Sequence, residues 1–178
     1  MRLPTTLLLL LLACWASAQT VSLGGGPIAA AELGTAGLNL RGYYNIGSKV
    51  CFGPEVSAML PRTTGEAGHE DTEQLTEVNL NVHYIFEWSH SVGVYPVTGV
   101  NFTNLQQEIS DPMLDAPIER TEQAFGLNLG AGVHLEGHSL IPYAEYKYVV
   151  GNLPDHFLTV GLLFTLGKRE NQPEHEAH

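Results

Sequence analysis

The sequence predicts an all-β fold: an eight-stranded antiparallel up-and-down transmembrane β-barrel with short periplasmic turns and longer outer loops. Three observations lead there. Apolar residues alternate with polar or small ones along most of the chain, the period-two pattern of strands. Beyond the N-terminal leader no apolar stretch approaches the ~18 residues of a membrane-spanning helix. A chain of this kind enters a bilayer only as a closed sheet, because open edges leave backbone groups unsatisfied in lipid. The connections also alternate in length, a tight turn and then a longer polar segment, as in outer-membrane barrels.

Residues 1–18 read as a signal peptide. Met1-Arg2 is the basic start, Leu7 to Leu12 the apolar run and Ala16-Ser17-Ala18 the small-x-small cleavage site, so the mature chain begins at Gln19. Leu11-Leu12-Ala13-Cys14 resembles a lipoprotein box, but Leu12 and Trp15 fit it poorly, and cleavage after Ala18 is preferred. That cut leaves Cys51 as the sole cysteine, so no internal disulfide staples the fold. The barrel is expected over 19–167 and a polar C-terminal tail over 168–178.

Eight strands are expected at 19–30, 35–46, 49–60, 74–87, 92–104, 122–135, 139–151 and 156–166, each near the ~9–11 residues that a tilted strand needs to cross hydrocarbon. The first is the weakest, being interrupted by Gly24-Gly25-Gly26-Pro27. The sixth is the clearest. Phe125, Leu127, Leu129, Ala131, Val133 and Leu135 share one face, with Gly126, Asn128, Gly130, Gly132 and His134 opposite. Leu158, Val160, Leu162, Phe164 and Leu166 repeat the pattern against Thr159, Gly161 and Thr165. So do Leu38, Leu40, Tyr44 and Ile46 against Asn39, Arg41, Tyr43 and Asn45, and Val78, Leu80, Val82, Tyr84 and Phe86 against Glu77, Asn79, Asn81 and His83. A wholly apolar face backed by amides and glycines suits a wall with lipid outside.

Gly47-Ser48, Trp88 to Ser91 and Glu136 to His138 are the short turns; Pro61 to Glu73, Leu105 to Thr121 and the shorter Gly151 to Asp155 are the outer connections. The loop 106–121 reads as an exposed, mobile segment. Tyr44, Phe86 and Trp88 fall near short turns, and Tyr146 and Tyr148 near an outer loop, where amphipathic rings favour the membrane boundary.

Net charge is -11, which makes nucleic acid a poor partner. The facing pattern places Arg41, Glu55, Glu77, Glu145 and Lys147 inside. An eight-stranded barrel has room within only for side chains, and an unpaired buried ion is costly, so these charges are expected to pair with one another. Arg41 and Glu55 lie at similar distances from the Gly47-Ser48 turn, and Glu145 and Lys147 share one inner face. Lys147 turned outward at mid-bilayer would cost about 2–4 kcal/mol. The network reads as a gated pore or proton path, or as a polar plug; the narrow lumen favours the plug.

Leu38-Asn39-Leu40-Arg41-Gly42-Tyr43-Tyr44 and Phe52-Gly53-Pro54-Glu55-Val56 resemble the second and third strands of the small outer-membrane β-barrels, the OmpA-like and OmpX-like family, in the versions of Bacteroidetes-type bacteria. Val160-Gly161-Leu162-Leu163-Phe164 is similar to that family's last strand. The resemblance covers nearly all of the mature chain and implies export to the outer membrane of a Gram-negative bacterium. One departure stands out: many members end on an aromatic residue read by the insertion machinery, whereas here Gly167 to His178 follow.

Chemistry is sparse. Glu66, His69, Glu70, Asp71 and Glu73 form an acidic cluster whose spacing matches no defined calcium loop. Glu108, Asp111, Asp115 and Glu119 make the second outer loop acidic too, and the pair suits an extracellular partner with a basic surface. Histidines 83, 90, 134, 138 and 156 share no metal-ligand spacing. His138-Ser139 is the one pair reminiscent of lipid A-modifying barrels, but it falls at a periplasmic turn, and no nucleophile elbow or phosphate loop is present. The expectation is an integral outer-membrane barrel in contact with lipid, with a side-chain-filled lumen and a structural or surface-interaction role. No catalysis, cofactor or metal is expected. A narrow porin-like channel is the first alternative. The second is a soluble barrel holding an apolar ligand, which requires the opposite sidedness.

Overall fold

The computed structural model describes residues 20–66, 69–89, 91–113, 116–135 and 139–166. The expected signal peptide, the tail 168–178, His90, Asp115 and His138 lie outside the described residues. Ten strands form one antiparallel sheet: β1 (Thr20–Ala30), β2 (Thr35–Ile46), β3 (Val50–Met59), β4 (Arg62–Glu66), β5 (His69–Tyr84), β6 (Phe86–Ser89), β7 (Val92–Ser110), β8 (Ile118–Leu135), β9 (Leu140–Gly151) and β10 (Asp155–Leu166). Pairing of β1 with β10 closes the sheet. Eight strands make the wall, while β4 and β6 are short additions to its rims. No helix occurs among the described residues. Following the pairings round from His156 through Tyr148, Leu129, Thr98, Val82, Phe52, Tyr44 and Val21 returns to β10 at Leu166, a stagger of ten residues. That stagger tilts the strands and fixes which inner side chains meet across the lumen.

The expected first-strand interruption does not occur; β1 is continuous. The reason lies in its neighbours. Pairing with β2 runs unbroken through Pro27, and Pro27 falls in a gap of the β10 ladder between Gly25↔Leu162 and Ile28↔Thr159. A residue without an N–H is tolerated where no ladder bond is needed. Pro54 sits in a similar gap between Arg41↔Glu55 and Tyr44↔Phe52. At the turn after β2, Gly47 takes φ 63, which a residue without Cβ adopts at no steric cost.

The outer connections are a second correction. Much of 61–73 and 105–121 is strand, not loop. Thr64 pairs with Asp71, Asp71 with Ile109, and Gln107 with Arg120. Outside lipid both faces meet water, so alternation of polarity disappears from the sequence while the ladders continue. The result is an outward extension of β4, β5, β7 and β8. β8 pairs with β9 only from Gly126 onward, so its segment 118–125 has a strand on one side alone.

Sidedness follows the sequence pattern. Phe125, Leu127, Leu129, Val133 and Leu135 are exposed on the outer wall, while Asn128 and His134 are buried within. The outward rings gather near both rims, Tyr44 against Phe52 and Tyr84 against Phe86 at one end, Phe102 against Phe125 toward the other. Leu129→Arg, on the lipid face, is expected to cost about 2–4 kcal/mol. Gln123→Arg on the same strand, above the apolar band, is expected to cost almost nothing. Urea unfolding of the refolded barrels checks this; equal midpoints for the two variants would contradict the placement.

Candidate functional site

The site is the lumen itself, and it is layered. The outer end holds an apolar cluster of inward side chains, Ile28, Leu33, Met59, Leu75, Val149 and Phe157 among them. Phe157 is 1% exposed and Met59 2%. Beneath lies the polar core. Near the periplasmic end Asn45 Nδ2 donates to Thr20 Oγ1 at 2.9 Å and to Ser22 Oγ at 3.0 Å.

All five residues singled out from sequence, Arg41, Glu55, Glu77, Glu145 and Lys147, are buried in the core. They divide into two groups. Arg41 is the hub of the first. Its Nη1 donates to Glu145 Oε2 at 3.0 Å and its Nη2 to Glu145 Oε1 at 3.2 Å, a fork that matches the carboxylate plane. Nη2 also reaches Glu55 Oε2 at 3.5 Å, and Nε donates to Asn39 Oδ1 at 2.8 Å. The guanidinium lies 4.4 Å from the Tyr143 ring centroid. Arg41 and Glu55, expected at similar depths, are direct cross-strand partners, because the turn includes Lys49 and pairs Ile46 with Val50. Its closer partner, Glu145, comes from across the barrel. In the second group Lys147 Nζ donates to Glu77 Oε2 at 3.4 Å, and Asn101 Nδ2 donates to Glu77 Oε1 at 2.7 Å. Glu145 and Lys147 share an inner face but serve different partners.

Residues outside those five complete the core. Tyr43 donates its hydroxyl to Glu55 and lies 3.3 Å from His83 Nε2. Tyr95 OH donates to Glu145 Oε2 at 3.3 Å. Asn128 Nδ2 donates to Asn81 Oδ1 at 2.6 Å and to Asn79 Oδ1 at 2.9 Å. Rings of Tyr43, His83, Tyr95 and His134 follow one another with centroids 4.6, 4.7 and 5.6 Å apart. The inward parity of Tyr95 was readable from its strand; the glycine opposite it in register, Gly132, was the signal that its ring lies along the inner wall over β8, toward Glu145 on β9. A Cβ on Gly132 would sit 2.3 Å from Tyr95 Cζ, so the ring lies where only a bare backbone leaves room.

Glu55, His83 and Glu145 offer ligand atoms all within 4.8 Å of one another, the group of metal-ligating type that the histidine spacing did not reveal. The Arg41 guanidinium already bonds both carboxylates. The acidic residues Glu70, Glu108 and Glu119 are exposed on the outer extension, away from the lumen.

The sequence profile of the outer membrane protein beta-barrel domain matches residues 6–164. The chain belongs to this family. Membership accounts for the apolar outer wall and places the barrel in an outer membrane. A major outer membrane protein of Thermus thermophilus is similar at TM-score 0.64 and 14% identity, over 83% of this chain and 99% of that one. Ail, the attachment invasion locus protein of Yersinia pestis, aligns at TM-score 0.55 and 13% identity, over 83% and 95%. OprG of Pseudomonas aeruginosa aligns at TM-score 0.55 and 12% identity, over 85% and 98%. At such identities the likeness concerns the fold. Nothing among curated proteins matches the chain.

Proposed function

We propose that this outer-membrane barrel is closed and non-catalytic, and that it acts as a structural and surface-interaction element. One observation carries the reading: the apolar cluster of Ile28, Met59, Leu75, Val149 and Phe157 caps a core whose ions already bond one another. An ion entering from outside would shed water against apolar side chains and then displace the Arg41–Glu145 pair, and both steps oppose conduction. The same caging leaves no substrate-sized space beside Glu55, Glu145 or His83; the adjoining cavity is about 40 Å³, room for roughly one or two waters.

What remains for contact with the surroundings is the outer extension. Glu70, Glu108, Glu119 and Glu122 stand exposed there with Arg62 and Arg120, so its complement is a basic protein surface. Ail has been solved with the heparin analogue sucrose octasulfate; a polyanion of that kind is a poor match for this surface. Export by the signal peptide of residues 1–18, in a Gram-negative cell, belongs to the same proposal.

Planar-bilayer recording tests the closed lumen. The refolded barrel is expected to insert, shown by its altered gel mobility before boiling, without single-channel steps. Reproducible ohmic steps from the wild-type protein would replace this reading with the channel.

A further inference from the structure

One stretch of the lipid-facing wall is hollow. Outward side chains are mostly Leu, Val and Phe, but Pro96, Ala131 and Ala144 stand on three neighbouring strands, with Pro96 opposite Ala131 in register. They floor an apolar groove of about 670 Å³ across β7 to β10, running from Phe86 beside a periplasmic turn to Tyr146 and Leu158. At its outer end stands a polar group, unusual on a wall facing hydrocarbon. The Tyr146 hydroxyl lies 2.5 Å from His156 Nδ1, and the Tyr148 ring stacks on His156 at 4.5 Å. His156 is the second residue of β10, beside the outer turn, at the depth where hydrocarbon gives way to headgroups.

We infer that the groove holds one acyl chain of an outer-leaflet lipid, whose ester and headgroup oxygens are bonded by His156 and Tyr148. Family membership sets this wall in lipid, so hydrocarbon fills the hollow. Between apolar surfaces in a bilayer there is no hydrophobic drive, and a preferred position comes from close packing and hydrogen bonds. The groove supplies the first and the cluster the second. With Tyr146 donating to Nδ1, the imidazole proton sits on Nε2 and is available to a carbonyl or phosphate oxygen. The polar cluster stands at the outer end, while Phe86 at the other end is a plain ring, so the headgroup faces outward. A second barrel seated here would lay an apolar wall over His156 and leave its donor without an acceptor. The inference stands on membrane residence and is independent of whether the lumen conducts.

Native mass spectrometry of the refolded barrel in detergent, with added dipalmitoyl phosphatidylethanolamine, tests it. The wild type is expected to retain one lipid. Ala131→Trp, which fills the floor, and His156→Phe, which removes the donor, are each expected to weaken retention about tenfold, equivalent to ~1.4 kcal/mol. Leu127→Trp, on the same strand outside the groove, is expected to change nothing. All three substitutions face lipid, and gel mobility before and after boiling confirms that each variant folds. Equal retention by Ala131→Trp and wild type would overturn the inference. So would a wild-type dimer that Ala131→Trp converts to monomer, since that assigns the hollow to a second copy.

Discussion

Arg41→Met is expected to remove most of the barrel's stability. The guanidinium is the cation for two carboxylates at once, Glu145 by a fork and Glu55 at 3.5 Å, and all three side chains are 1% exposed. Without it Glu55 and Glu145 are buried together among Tyr43, Tyr95 and Asn39, with His83, 3.7 Å from Glu145, and the Lys147 ammonium, already bonded to Glu77, as the remaining basic groups. Breaking a buried pair by removing one partner costs about 3–5 kcal/mol, and here two anions are stranded, so the upper end applies. A folded domain has only about 5–15 kcal/mol in total. Urea unfolding of the refolded barrel, read by gel mobility, should show the midpoint collapse or no folded band at all. Arg41→Met combined with Glu55→Gln and Glu145→Gln should restore a folded band, because an amide in place of each carboxylate removes the uncompensated charge. Arg41→Lys should fall between, since an ammonium keeps the charge but loses the fork and the Nε bond to Asn39. An unchanged midpoint for Arg41→Met would mean that the carboxylates are neutralised by something other than this guanidinium.

The inner positions were legible because strand side chains alternate strictly, so one apolar face identifies the other as lumen. That Arg41 and Glu55 lie at similar depths was legible as well, by counting from Gly47-Ser48; the exact register was not, because the turn takes in Lys49 too and pairs Ile46 with Val50. Arg41 with Glu145 was not: that contact joins strands distant in sequence and depends on the ten-residue stagger, which no single strand encodes. The cap was hidden for a different reason. Ile28, Met59, Val149 and Phe157 are apolar residues at inward positions, and within one strand each looks like an irregularity in the alternation. They form a cluster only once the strand ends are brought level at the outer mouth. The outer extension escaped because alternation reports a lipid–lumen contrast, and segments such as 70–74 and 118–123 stand outside lipid, where Thr, Gln and Glu suit both faces of a sheet. The Tyr146–His156 contact at the outer rim was half visible: the tyrosines read as boundary residues, but their pairing with a histidine on the next strand needed the register of β9 against β10.

Lys147 offers the cleaner separation of charge from packing. Its ammonium has one carboxylate partner, Glu77 at 3.4 Å, and rests 5.1 Å from the Phe157 ring centroid at the underside of the cap. Lys147→Met keeps the stem that packs there and removes only the charge, so the loss measures Glu77 left as an anion beside Asn101. That loss is expected to reach about 3 kcal/mol, with a lower urea midpoint and faster unfolding. Glu77→Gln alone is expected to be similarly harmful, because it strands the ammonium. The double variant Lys147→Met/Glu77→Gln should recover most of the stability, since Gln still accepts from Asn101 Nδ2 and no net charge remains. A double variant less unstable than either single means a coupling energy larger than either single loss, above about 3 kcal/mol, as for a desolvated pair whose joint removal strands no charge. If the double variant proved as unstable as the sum of the singles, the pair would be independent. Lys147 would then serve the barrel through its stem against Phe157, and the polar core would hold together by its amides and hydroxyls instead of its ions.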